Sequence, residues 1–209
     1  CIVTALANGC AGIVPVATPE EARLRLAGQP DALVAGERRG EPLEGFDLGN
    51  SPLEFTRERI GGRVVIMTTS NGTRALLAAR GAMAIGVAAF VNLGAAAAWA
   101  LDGRHDVLLL CSGERGARSL EDHVCAGLLA DRLLTNEPAA RATAAAQQAV
   151  ASAAPYGKDV ARLAEDSSWA RHLASRGRAL DVATCLSVDT SSLVPEYRPN
   201  VDKVVAAQG

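Results

Sequence analysis

Six consecutive residues, Thr68, Thr69, Ser70, Asn71, Gly72 and Thr73, place four hydroxyls, an amide and a glycine between a β-branched apolar run at 64–67 and a helically spaced segment with Leu76, Leu77 and Arg80. Such a strand, polar turn and helix start gathers backbone N–H groups and the positive end of a helix dipole, so it can hold a phosphate, sulfonate or carboxylate. The same residue types are the preferred helix caps, and an ordinary N-cap explains this turn at least as well. Five acids, Glu37, Asp47, Glu114, Glu121 and Asp122, add hard oxygen donors, with Arg38, Arg115 and Arg118 close in sequence. Magnesium takes one or two carboxylates and completes its shell with water and phosphate oxygens, while arginine grips an anion with two parallel N–H groups. Any one of these acids is better explained as a solvated or helix-start charge. The case rests on their joint placement at strand ends.

Other phosphoryl chemistries fail on spacing. A cysteine phosphatase needs an arginine six positions after its thiolate; from Cys111 that position is Ala117, and Arg118 lies one step too far. Arg104-His105-Asp106 precedes its predicted strand and so falls on the wrong rim for histidine phosphoryl chemistry. His105, His123 and His172 are too few and too dispersed for a zinc site. Lys158 and Lys203 are the only lysines, and neither follows a glycine-rich turn, so the nucleotide P-loop is absent. No Asp-x-Asp follows a strand.

The elements that must position these residues alternate. A helix over 2–7 has no cap of its own, which suggests a strand upstream of it. A strand at 13–16 leads to a helix whose start reads Thr18-Pro19-Glu20-Glu21 and whose end is Gly28. Then come strands at 31–35, 64–67, 84–90 and 106–110, the last apolar after Asp106 and the most convincing, with a helix over 93–101. Between the second and third lies a loop, GFDLGNSP at 45–52. Ser119 with Asp122 three residues on resembles a capping box opening a helix through Cys125 and Leu133. An alanine-rich helix from Pro138 to 154, a helix over 158–175, a strand at 182–188 and a closing loop at 189–199 complete the chain. This order argues for an α/β protein, layered α/β/α with a largely parallel or mixed sheet. The loops leaving the carboxyl ends of parallel strands share one rim, and the polar stretches around Glu37, Asn71, Asn92 and Glu114 are expected there.

With 209 residues, 49% hydrophobic, the chain can bury one large or two small cores. We read one unit over 1–209, any division into subdomains falling near 80–105. A net charge of −2 with scattered basic residues argues against nucleic acid or an anionic membrane. The uncharged run within 80–102 is rich in alanine and glycine and divides into a strand and a helix, so no membrane span is expected, and the first residues carry no signal-peptide pattern. Five cysteines without CxxC spacing point to a reducing cytoplasm. Alanine-rich helix faces can bury against a second copy, giving a homo-oligomer, or against their own sheet.

The segments TALANG (4–9), PVATPEEA (15–22), LVAGER (33–38), GFDLGNSPLEFT (45–56), TTSNGTRAL (68–76), CSGE (111–114) and SLEDHVCAG (119–127) together resemble the 2-phosphosulfolactate phosphatase family. That resemblance implies a magnesium-dependent acid phosphatase converting (2R)-O-phospho-3-sulfolactate to 3-sulfolactate and phosphate, a step toward coenzyme M, on the family's own α/β fold. Family members carry a strand and an Asp-x-x-Arg turn upstream of the position of Cys1, which this sequence lacks. Mapped onto the family chemistry, Arg38 and the turn of Thr69, Ser70, Asn71, Gly72 and Thr73 would cradle one anionic group. Asp47, Glu121 and Asp122 would hold Mg2+; Asn50 and Ser51 would orient substrate or metal-bound water; Glu114 joins Asp47, Asn50 and Ser51 as a catalytic candidate. Arg118 with the Ser119 helix start would form a second anion pocket. The expectation is that turns distant in sequence converge on one cation pocket for a small phosphorylated substrate. Alternatives are a family phosphatase for another phosphorylated hydroxy acid, and an inactive relative that only binds anions.

Overall fold

The apolar runs near residues 13, 34 and 65 form three parallel strands. In the computed structural model, which describes residues 1–114 and 116–207, β1 (Gly12–Pro15), β2 (Leu33–Arg38), a short β3 (Glu41–Pro42) and β4 (Val64–Thr68) belong to one sheet. β4 lies between β1 and β2, with Val14 and Val34 both opposite Ile66. The period-two alternation of strand side chains then makes two cores. Ile13, Ala35, Val65 and Met67 face one, covered by α1 (Ile2–Ala7) and α4 (Gly72–Ala78) through Ala5, Leu6 and Leu76. Val14, Val34 and Ile66 face the other, covered by α2 (Pro19–Ala27) through Ala22 and Leu26. α2 starts as its sequence dictates, with Thr18 Oγ1 accepting the Glu21 N–H at 3.1 Å and Pro19 in the first turn. α3 (Arg57–Ile60) adds Ile60 to the first core.

The α/β/α layering is therefore present, with two departures. β2 runs three residues beyond its predicted end at Ala35, and Arg39 and Gly40, both in the left-handed region (φ 57° and 82°), turn it back into β3. Two positive φ values make the tight turn that matches strand twist; an arginine in the first of them hides the signal. The predicted closing loop contains β5 (Pro195–Arg198), which pairs antiparallel with β6 (Lys203–Ala206), and β6 pairs antiparallel with β1. The sheet order is β3-β2-β4-β1-β6-β5. The chain divides into two compact units, and this sheet belongs to the first, Cys1–Val87 with the chain from Leu193 onward.

The second unit, Ala88–Ser192, is built on helices: α5 (Leu93–Asp102), α6 (Leu120–Asn136), α7 (Ala144–Ala153), α8 (Leu163–Asp166), α9 (Ser168–Leu173) and α10 (Ala179–Cys185). Their core gathers Phe90, Leu93, Val124, Leu129, Tyr156 and Leu163. Gly127 lets α6 and α7 touch, because a Cβ there would collide with the Ala149 carbonyl and the Ala153 methyl. Several sequence expectations are corrected here. The strand expected at 106–110 does not form; Val107, Leu108 and Leu110 are exposed, and a strand needs a neighbouring ladder as well as β propensity. The stretch at 84–90 makes only a bridge, Gly86 to Glu196, before a 3-10 turn at Phe90–Asn92. The helix expected from Pro138 begins at Ala144, where the Thr143 hydroxyl caps it. The helix expected over 158–175 is interrupted at Ser167, whose hydroxyl caps α9. The strand expected at 182–188 is largely α10. Among the described residues no helix is long and apolar enough to cross a membrane.

Candidate functional site

At the exit ends of β2 and β4, the two segments LVAGER and TTSNGT meet. Arg38, the last residue of β2, donates from Nη2 to Thr68 Oγ1 at 2.8 Å and to the Ala17 carbonyl at 3.3 Å, and from Nη1 to the Glu37 carbonyl at 2.6 Å. Its guanidinium is thus fixed across the ends of three parallel strands. Glu37 is buried, and its carboxylate accepts the Ser70 N–H at 2.7 Å, the Gly40 N–H at 2.8 Å and the Ser70 hydroxyl at 3.2 Å. Thr69 and Thr73 bond reciprocally: each hydroxyl accepts the other's N–H at 3.1 Å. The turn is consequently narrower as an anion cradle than six polar residues suggest. Ser70 N–H is taken by a resident carboxylate and those of Thr69 and Thr73 by each other. The amides of Asn71 and Gly72, at the start of α4, have no intrahelical partner.

Asp47 is not brought together with this set. Its Oδ2 accepts the Val34 N–H at 2.8 Å, near the beginning of β2, about 10 Å along the strand from Glu37 at the usual rise per residue. Leu48 continues beside β2, bridging Ala35, so the carboxylate helps seat the 45–49 segment on the strand. The Asn50 carbonyl accepts the Cys1 thiol at 3.3 Å, and the buried Ser51 hydroxyl accepts the Leu53 N–H at 3.2 Å, starting a 3-10 turn.

In the second unit the candidates collect at the start of α6. Ser119 Oγ accepts the Asp122 N–H at 3.2 Å and donates to Glu121 Oε2 at 3.0 Å; the Ser167 hydroxyl donates to Glu121 Oε1. Both Glu121 oxygens are therefore engaged, tying the starts of α6 and α9 together. Asp122 Oδ2 accepts from the Ser112 hydroxyl at 2.9 Å and the Gly113 N–H at 2.8 Å, and Oδ1 has no partner among the described residues. Glu114 sits not at a strand exit but in a turn, exchanging backbone bonds with Ala117 at 2.9 and 2.8 Å. Arg115 lies outside the described residues. Of the four polar stretches expected on one rim, those of Glu37 and Asn71 leave parallel strands, and those of Asn92 and Glu114 do not.

Two further residues belong to this picture. Buried His123 Nε2 has no hydrogen-bond partner among the described residues; burial and then the Arg118 charge lower its pKa. Its position within the first turn of α6 was the available signal. Thr68 anchors Arg38 and was legible only as one more turn hydroxyl. Burial, followed by the Asp122 charge, raises the Cys111 thiol, so electrostatics as well as spacing oppose a thiolate nucleophile there. Within either unit, no group of three or more His, Cys, Asp or Glu side chains among the described residues could hold a metal ion.

A family model described as 2-phosphosulpholactate phosphatase matches residues 1–200. A protein of Thermotoga petrophila named "Probable 2-phosphosulfolactate phosphatase" is 40% identical over 198 residues, 93% of this chain and 82% of its own. Identically named proteins of Gloeobacter violaceus and Clostridium novyi are 40% and 33% identical over 200 and 208 residues, covering 93% and 97% of this chain and 81% and 86% of their own. The match spans the rim of the first unit and the α6 start of the second alike, and the chain belongs to the 2-phosphosulfolactate phosphatase family.

Proposed function

We propose that this chain is a phosphoric monoester hydrolase that converts (2R)-O-phospho-3-sulfolactate to 3-sulfolactate and phosphate in the presence of magnesium. The observation that carries the reading is the Arg38–Thr68 bond of 2.8 Å, which holds a guanidinium beside the turn where the Asn71 and Gly72 amides begin a helix. The remaining N–H groups of a fixed guanidinium, beside amides with no intrahelical partner, suit a phosphoryl or sulfonate group. The names of the relatives supply the substrate.

In this reading Arg38, Asn71 and Gly72 contact one anionic group, Thr69 and Thr73 hold the shape of the turn, and Ser70 contributes through its place in it. In the second unit Arg118 and Ser119 are the anion-binding pair. The acids of the α6 start fit magnesium by donor chemistry: Asp122, with Oδ1 open, and Glu121 would hold it, one or two carboxylates being the usual protein share. When bound, the ion supplies charge neutralisation at the phosphoryl oxygens. Asn50 and Ser51 would orient substrate or metal-bound water, and Glu114 stays a catalytic candidate. For Asp47 the geometry supports a seating role at β2. The protein's part in catalysis is positioning and charge stabilisation, as befits phosphoryl transfer.

Turnover of phosphosulfolactate, phospholactate and phosphoglycolate by the purified chain tests the assignment. The sulfonated ester is expected to have the highest kcat/KM; equal values for all three would replace it with a general hydroxy-acid phosphatase.

A further inference from the structure

Glu37 is 8% exposed, yet the donors to its carboxylate come from two separate turns. Gly40 lies in the hairpin between β2 and β3, and Ser70 in the turn after β4. The Arg39 N–H also donates to Ser70 Oγ at 3.2 Å, closing a small ring of bonds around that side chain. A buried carboxylate is tolerated only when its oxygens are bonded this fully. The Glu37 carbonyl meanwhile receives Nη1 of Arg38, so one residue holds both the guanidinium and the turn.

We propose that Glu37 is a positioning residue for the anion cradle of Arg38, Asn71 and Gly72. Its carboxylate fixes Ser70 and therefore the direction of the next two amides, and by occupying the Ser70 N–H it confines an incoming anion to the amides beyond. The assignment rests on the phosphatase reading given above. A carboxamide cannot replace the group, because its NH2 would face the N–H of Gly40 or Ser70, donor against donor.

The test compares wild type with Glu37→Gln, Ser70→Ala and the double variant, all assayed below their melting temperatures. Phosphate release from phosphosulfolactate and calorimetric binding of inorganic phosphate are both measured. Glu37→Gln is expected to raise KM about tenfold with kcat within about threefold, and Ser70→Ala, which keeps the N–H and deletes only the hydroxyl's bond to the carboxylate, to add little in the double variant, where that carboxylate is already gone. A merely structural glutamate would lower the melting temperature and leave the KM of the folded enzyme alone; that result overturns the proposal, as do fully additive effects. Wild type that binds phosphate without hydrolysing the ester would sink the phosphatase reading, while loss of that binding in Glu37→Gln would still support the positioning role. Wild type that neither hydrolyses nor binds removes both.

Discussion

Arg38 is engaged on its protein side by Thr68 Oγ1 and two carbonyls, which makes it a preorganised cation rather than a flexible one. Charge-assisted hydrogen bonds are each worth roughly 1.5–3 kcal/mol, so Arg38→Ala is expected to raise KM by about 10- to 100-fold. Arg38→Lys keeps the charge without the planar fork and should recover only part of the loss; full recovery in the same assay would show that geometry at this position is unimportant. Cys125 offers a separate check on the α6 environment. Burial first, then the Asp122 and Cys111 charges, push its thiol up to about 12 from 9.0. A group whose pKa is raised by folding gives its full stabilisation below the unfolded value and loses it as pH climbs toward the folded one. Melting temperature should therefore fall as pH rises above 9, and Cys125→Ala should flatten that fall; an identical alkaline slope in the variant would refute the shift. At this scale the sequence disclosed which residue types were present but not which were already paired. That Glu37 answers Ser70 depends on a contact 33 positions apart.

Among the elements, those carrying their own local signals were readable. Thr18-Pro19-Glu20-Glu21 starts a helix by itself, and 64–67 is apolar on both sides because both faces of β4 are covered. Elements depending on a distant partner misled. Residues 106–110 have strand composition without a ladder, and β5 and β6 are short strands of mixed composition whose pairing with each other and with β1 sets them. Polarity and proline together made 189–199, which holds β5, look like a closing loop. The α6–α7 crossing depends on Gly127, a helical glycine that would ordinarily be improved by alanine by about 0.5–1 kcal/mol. Here the added methyl meets the Ala149 carbonyl, so Gly127→Ala is expected to destabilise by about 1–3 kcal/mol, a drop of several degrees in Tm. A higher Tm by calorimetry would mean the two helices are not in contact.

For the molecule as a whole, α/β layering followed from strand and helix alternation in the first unit, whereas the helical character of the second was obscured by β-branched and leucine-rich runs. The family was legible from motifs because GFDLGNSP and TTSNGT depend on residue identity, not on long-range packing. The candidate residues were legible as types, whereas their grouping into a rim on the first unit and a helix start on the second depends on the folded chain. Hydrolysis of a phosphate ester with help from a divalent cation is read most directly from the inorganic phosphate released from (2R)-phosphosulfolactate by chelator-treated protein before and after magnesium is added. We expect no release beyond the uncatalysed rate without the ion and sustained multiple turnover with it; release unchanged by chelation, or binding of the ester with no phosphate formed at any magnesium concentration, would contradict the account.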